Sequence, residues 1–267
     1  EAEEAIDLMM KERAFGAAGD KIIVEDCLVG EEASFMVFTD GKTIVPMASS
    51  QDHKRVFDND RGPNTGGMGA YSPAPVVTEE LQQMVMDTIM RPVIEGLKIE
   101  GIKYKGVLYA GLMICNGKPY VLEFNCRLGD PEAQPVLFRL ETDLVDIALA
   151  ISDERLAEIP IIWKPEAAVC VVLASEGYPG NYPKGRVIKG LDKVKCMEHT
   201  YVFHAGTTFD DNHICVTNGG RVLGVTALGE DIARARTHAY AAIEKISFEG
   251  MHFRKDIASR ALSRSSA

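Results

Sequence analysis

The chain lacks any run approaching the roughly 18 consecutive apolar residues that a membrane span needs. Its acidic start resembles neither a secretory signal nor an Arg-rich transit peptide. A cytoplasmic protein without a membrane partner is therefore expected. Positive charge is also short, with 29 Lys and Arg against 39 Asp and Glu and a net charge of −10. That balance excludes a broad nucleic-acid face, which needs clustered basic residues, but leaves room for a small basic pocket. The six cysteines, Cys27, Cys115, Cys126, Cys170, Cys196 and Cys215, contain no C-x-x-C pair. Neither a zinc ribbon nor a disulfide framework is indicated. There is no P-loop pattern, no internal repeat and no low-complexity segment. No Ser-His-Asp or Cys-His arrangement stands out, and His53, His199, His204 and His213 have no metal-ligand spacing.

What remains is an ordinary folded composition, 46% apolar and 25% charged over 267 residues, enough for one large or two moderate domains. Glu1 to Ile6 is already in helical rhythm without a cap, as if cut from a longer chain. Residues 2–14 are expected to form an amphipathic helix with Ala2, Ile6, Met9 and Met10 inward, ending at the Gly16 and Gly19 turn. Lys21 to Glu25 is strand-like, and residues 33–45 read as a hairpin turning at Asp40-Gly41. Periodicity vanishes from Ser49 to Pro75, where a long loop is expected to be functional or a mobile, solvated surface loop. Thr78 then caps a helix to about Glu100, kinked near Pro92.

A second hairpin runs from Val107 to Phe124 around Asn116-Gly117. Helical patterns at 132–140 and 142–152 precede a Pro-bearing boundary, giving expected domains of 1–163 and 164–267. Short β patterns at 167–174, 200–205, 213–217 and 221–228, with an Ala-rich helix at 230–246, make the second a small α+β domain. The expected class is α+β throughout, with antiparallel sheet and helices in the first domain.

Three segments could carry chemistry. Glu123 and Asn125, alternating on one face of a strand end, aim two hard oxygen donors at one point, which suits Mg²⁺ shared with phosphates. The plainer reading is a pair bonded to a neighbouring loop. Arg127, Asp130 and Glu132 follow at once; Arg127 can grip a phosphate or carboxylate, or form an internal salt bridge to Asp130 or Glu132 while Asp130 caps the next helix. The loop Gln51-Asp52-His53-Lys54-Arg55, with Asp58, Asp60 and Gly62-Pro63-Asn64-Thr65-Gly66-Gly67-Met68-Gly69, combines charge with glycines that let backbone N–H groups approach an anion. Glu25 to Glu32 offers a strand edge, an apolar residue and paired acids that could hold a nucleoside, or could simply be solvated.

The succession VEDCLVGEEASF, SQDHKR, GPNTGGMGAYSPAP, VLYAGLM, VLEFNCRLGDPE, ASEGYPGNYPKG, VFHAGT, NGGRVLGVTA and FRKDI resembles the phosphoribosylamine-glycine ligases, ATP-grasp enzymes of purine synthesis, along essentially the whole chain. The resemblance implies that 1–163 is an ATP-grasp domain lacking its beginning, including a phosphate-binding Lys and glycine-rich loop, and that this fragment alone turns over poorly. It implies ATP and Mg²⁺ or Mn²⁺ as cofactors, with glycine and 5-phosphoribosylamine joined through glycyl phosphate. Glu123 and Asn125 would hold the metal, and Glu25, Leu28 and Glu32 the adenosine. Lys54, Arg127 and Asp130 would serve the chemistry, and Arg55, Asn64, Thr65, Gly66, Gly67 and Met68 would surround the substrates. Fusion of the parent to other purine-synthesis enzymes stays open. The alternatives are another ATP-grasp carboxylate-amine ligase or a non-catalytic nucleotide-binding module.

Overall fold

The computed structural model describes residues 2–264. Strand β1 (Glu31–Thr39) turns through Asp40, whose carboxylate accepts from the N–H groups of Lys42 (2.9 Å) and Thr43 (2.7 Å), into β2 (Ile44–Pro46). After the segment 49–75 and a long helical stretch, β7 (Gly106–Cys115) and β8 (Lys118–Asn125) form the second expected hairpin. Asn116 and Gly117 there both have the positive φ that such a turn demands. The four strands make one antiparallel sheet in the order β2-β1-β7-β8, with β1 and β7 in register from Glu31↔Ile114 to Thr39↔Gly106.

Alternation along β1 divides the cores. Ala33, Phe35 and Val37 pack against helices α2 (Glu79–Val85) and α3 (Arg91–Ile99), whereas Met36 and Phe38 pack towards α4 (Ala133–Phe138) and α5 (Leu144–Ser152). Thr78 Oγ1 caps α2 by accepting from Leu81 N–H at 3.2 Å. The irregularity expected at Pro92 takes the form of a π-helical turn over Met86–Met90, because a proline ring displaces the carbonyl four residues before it.

The segment 49–75 is not a solvated loop. It supplies β3 (Gln51–Asp52), the small hairpin β4 (Arg55–Phe57) and β5 (Arg61–Asn64), and β6 (Gly69–Ser72). Strands β3 and β6 complete a five-stranded antiparallel sheet, β10-β13-β9-β6-β3, with β9 (Ala167–Ala174), β10 (Thr200–His204) and β13 (Arg221–Gly229). Residues from before and after position 163 therefore share one sheet, and Gly69 admits the close approach, since a Cβ there would lie 2.6 Å from the carbonyl of Cys170. Helix α7 (Ile232–Ile243) covers this sheet through Ala235, Ala239 and Ala242, whose small side chains permit tight contact. The strand pair β11 (Thr207–Phe209) with β12 (Cys215–Thr217), and the short helices α6 (Leu191–Lys195) and α8 (Ser259–Arg264), complete the later part.

Two sequence expectations fail near the start. The helix over 2–14 is only α1 (Ala2–Ile6) followed by a π-helical turn at Asp7–Lys11, and neither buries a residue. Ile6 and Met10 face solvent because an amphipathic helix owes most of its stability to packing, and the 3-10 turn at Gly16–Asp20 that meets Met9 is too short to cover it. Residues 21–25 form no strand: Ile23 and Val24 are 84% and 85% exposed, since β-prone residues need a neighbouring strand to pair with. No described helix is long and apolar enough to cross a membrane.

Candidate functional site

Strand β8 stays paired with β7 to Asn125 beyond a register shift between Gly111 and Leu112, and its last residues carry the expected oxygen donors on one face. Asn125 Nδ2 donates to Glu123 Oε1 at 3.0 Å, and Arg127 Nη2 donates to Asn125 Oδ1 at 3.3 Å. Arg127 also donates to the carbonyl of Leu128 at 3.0 Å and makes no salt bridge to Asp130 or Glu132. Asp130 does not cap α4 through a backbone bond; its Oδ1 accepts from Gln134 Nε2 at 3.0 Å, and its Oδ2 accepts from Arg221 Nη2 at 3.0 Å. Arg221 also donates to the carbonyls of Gly66 (2.7 Å) and Asp130 (2.8 Å), tying the glycine-rich turn to the acidic loop.

These groups surround a cavity of about 200 Å³ that brings together Lys54, Thr65, Gly66, Glu123, Asn125, Arg127 and Asp130 with Asp52, Tyr109 and Glu132. A second cavity of about 280 Å³ shares Asp52 and Lys54 and adds Glu31, Glu32, Arg55, Asn64 and Arg260. Lys54 stands between them with its ammonium 2.8 Å from Glu32 Oε2. Burial would lower its pKa, but the charges of Asp52 and Glu32 outweigh burial and hold it above its ordinary value. Asp52 moves the other way. Burial first, and then the charge of Glu132, push its carboxyl up to about 7.

The charged turn between β4 and β5 is held by the end of the chain. The guanidinium of Arg254, wholly buried, donates to both oxygens of Asp256 at 2.8 Å, to Asp60 Oδ1 at 2.9 Å and to the carbonyl of Arg55 at 3.0 Å. Asp256 in turn accepts from Asn59 N–H, Asp58 accepts from Lys255 N–H, and Arg260 pairs with Asp60, each at 2.8 Å. His53, buried beneath, accepts from Ala258 N–H at 3.0 Å through Nε2, and burial lowers its pKa, so it is neutral.

The other expected residues lie elsewhere. Glu25 is exposed and Leu28 half-buried on the unpaired segment before β1, so of the adenosine trio Glu32 alone lines a cavity. Gly67, at φ +111°, packs against Pro131, where a Cβ would lie 2.3 Å from the ring. Met68 is a fully buried member of the sheet core. Among the described residues no three His, Cys, Asp or Glu side chains converge as a metal cage. Sequence reasoning passed over Arg221, Arg260, Tyr109 and the burial of Asp52. The visible signal was the placement of Asp52, Tyr109 and Arg221 within the runs SQDHKR, VLYAGLM and NGGRVLGVTA.

Residues 1–133 match the model of the phosphoribosylglycinamide synthetase ATP-grasp (A) domain, and residues 168–260 match that of the C domain of the same enzyme. The chain is 53% identical over 99% of its length to a phosphoribosylamine-glycine ligase of Vibrio parahaemolyticus, and 54% identical over 99% to one of Yersinia pestis. It spans 61% and 62% of the lengths of those two relatives. A crystal structure of a phosphoribosylamine-glycine ligase from Thermotoga maritima superposes with a TM-score of 0.76 at 38% identity, covering 88% of this chain and 57% of that one. With both halves matched by the same synthetase and the ATP-grasp architecture shared, the chain belongs to the phosphoribosylglycinamide synthetase family.

Proposed function

We propose that this chain carries the metal-binding and acceptor side of an ATP-dependent ligase that joins glycine to 5-phosphoribosylamine, giving glycinamide ribonucleotide, ADP and phosphate through glycyl phosphate. The observation that carries the reading is the convergence of Glu123, Asn125, Arg127, Asp130, Lys54 and the Thr65-Gly66 backbone on one cavity, from segments far apart in sequence.

The donor set fits a divalent ion. Glu123 and Asn125 each carry a hard oxygen donor on this wall, Glu123 Oε1 accepting from Asn125 Nδ2 and Asn125 Oδ1 accepting from Arg127, and no third carboxylate or imidazole completes a protein-only cage among the described residues. That is the set expected of Mg²⁺ or Mn²⁺ shared with nucleotide phosphates. When bound, such an ion would neutralise phosphate charge during transfer to the carboxylate. The chain's own work is positioning. Arg127 spends two of its five N–H donors on Leu128 and Asn125, which leaves others for a phosphate or carboxylate. Lys54, kept charged by its acidic neighbours, adds a second cation. Glu32, Arg55 and Asn64 line the second cavity together and would serve the sugar-phosphate end there, with the glycine turn beside the first cavity. No nucleophilic side chain is required, because orientation and fixed charge in a water-poor site suffice.

The test is phosphate release from ATP by the full-length protein with glycine and freshly generated phosphoribosylamine. Release that needs both substrates and collapses in Asn125→Ala supports the reading. Release independent of glycine or of the amine would overturn it.

A further inference from the structure

The glycine turn, expected to offer backbone N–H groups to an anion, has its N–H groups already bonded within the chain. Thr65 N–H donates to the carbonyl of Lys54 at 2.8 Å, Gly66 N–H to Tyr178 OH at 3.1 Å, Gly67 N–H to Thr65 Oγ1 at 3.0 Å, and Met68 N–H to the carbonyl of His53 at 2.8 Å. Three of these acceptors belong to residues 53–65. The fourth, Tyr178, stands 112 positions later.

Gly66 is thereby held on both sides. Its carbonyl accepts from Arg221 Nη1 at 2.7 Å while its N–H is taken by the phenol, so each of the two peptide planes meeting at its Cα is pinned by a side chain of the later part. A glycine needs such pinning most, because without a Cβ its neighbouring planes rotate freely. No larger residue fits, since a Cβ here would lie 3.0 Å from Arg221 Cζ. The Thr65–Gly66 peptide is trans, so turning its N–H to Tyr178 turns the Thr65 carbonyl the other way.

The two arms share one base. Ser175 N–H donates to the carbonyl of Gly220 and Ser175 Oγ to that of Gly219, both at 2.8 Å, and Tyr178 N–H donates to the carbonyl of Ser175 at 3.2 Å. The Tyr178 ring lies on Gly220, where a Cβ would be 2.2 Å from its Cδ2, and Arg221 follows directly. The ring also lines a cavity of about 730 Å³ with Phe57, Pro63 and His252, so close packing does not by itself press the phenol onto the turn.

We infer that Tyr178 is a positioning residue: its hydroxyl, working with Arg221, selects one orientation of the Thr65–Gly66 peptide and so fixes the turn that lines the first cavity beside Glu123 and Asn125. This rests on the ligase reading and adds to it a side chain that lines neither of the two charged cavities. Without the phenol the peptide gains a second orientation, and the competent geometry is populated for only part of the time. Gly66 is exposed, so water replaces the lost hydroxyl and the fold is kept.

The experiment compares the full-length parent with Tyr178→Phe, Arg221→Ala and the double variant. Tyr178→Phe keeps the ring on Gly220, and its melting temperature is expected to fall by no more than about 4 °C. Hydrogen–deuterium exchange over residues 64–67 is expected to quicken about fivefold, the scale of one hydrogen bond, while exchange in β9 and β13 stays as in the parent. Glycine-dependent phosphate release is expected to lose about tenfold in kcat. In the double variant the loss is expected to be smaller than the product of the two single losses, because both side chains act through Gly66, a coupling that a general loss of stability would not give. Unchanged exchange over 64–67, an unchanged kcat, multiplicative losses, or a larger fall in melting temperature with exchange quickened throughout overturns the inference. A parent with no glycine-dependent release overturns the ligase reading instead, and the exchange still decides whether Tyr178 holds the turn.

Discussion

Arg221 and Asp130 lie 91 positions apart in sequence and are joined twice, once through the aspartate carboxylate at 3.0 Å and once through its carbonyl at 2.8 Å. Because the same guanidinium also holds Gly66 O, one side chain of the later part sets the distance between the two loops that line the cavity. Arg221→Ala is therefore expected to lower kcat/KM by roughly 10- to 100-fold, the scale of losing charge-assisted hydrogen bonds that orient a site. Arg221→Lys should recover little, because a point charge cannot bridge three acceptors as a planar fork does. Kinetics of both variants check this, and full activity in either contradicts it.

A structural consequence follows from the clamp at Arg254. Its guanidinium is fully buried against Asp256, Asp60 and the carbonyl of Arg55, so Arg254→Met leaves Asp256 without its cation and Asp60 with Arg260 alone. Breaking a buried pair costs about 3–5 kcal/mol in general, and the partial exposure of Asp60 places the expected loss near the low end, about 3 kcal/mol. Urea denaturation measures it. A change below about 0.5 kcal/mol, the range of ordinary surface substitutions, would show that the clamp is not structural.

The clamp also fixes an acid limb. Burial pushes the Asp256 carboxyl up, but the two bonds from Arg254 outweigh burial and bring it down to about 2. A carboxylate depressed in the folded state contributes stability that is present above its unfolded value, about 3.9, and is lost as pH falls through about 2. Stability is expected to drop across that window in the parent and less steeply in Arg254→Met. Chemical denaturation at a series of pH values between those limits makes the comparison.

Much of this was legible beforehand, because its causes are local. Asp40-Gly41 and Asn116-Gly117 announce their turns, Thr78 announces its helix, and alternation puts Glu123 and Asn125 on one face. What was hidden is long-range. Asp52 reads as one more charge in a polar loop, and its burial depends on β3 and β6 joining a sheet whose other strands lie about a hundred residues later. The start fails for the complementary reason: Ile23 and Val24 have strand-forming side chains, but pairing needs a second strand that local sequence does not specify.

Gly67 tests how tightly the glycine turn is packed. Its φ is +111°, and a Cβ at this position would lie 2.3 Å from Pro131 Cδ, so Gly67→Ala meets both backbone strain and a rigid ring. A loss of about 2–3 kcal/mol in stability is expected, together with a fall in kcat as Pro131 moves Asp130. Thermal melting and turnover of the variant check the two effects separately.

Asp52 gives a prediction in which removing a buried charge stabilises the fold. Its carboxyl is raised to about 7 in the folded chain, against about 3.9 when unfolded, because burial and Glu132 disfavour its charge. Between those values the unfolded state holds fewer protons, so this group's contribution is fully present below about 3.9 and is lost as pH rises through about 7. Asp52→Asn removes that penalty and is expected to be more stable than the parent at pH about 8, which urea denaturation at that pH checks. Its surroundings decide how the titration is read: Glu132 and Glu32 oppose the charge, while Lys54 and Arg260 favour it, and Tyr109 is held neutral by burial and by Glu132. A variant that is less stable at pH about 8 would mean that Asp52 has a structural partner after all.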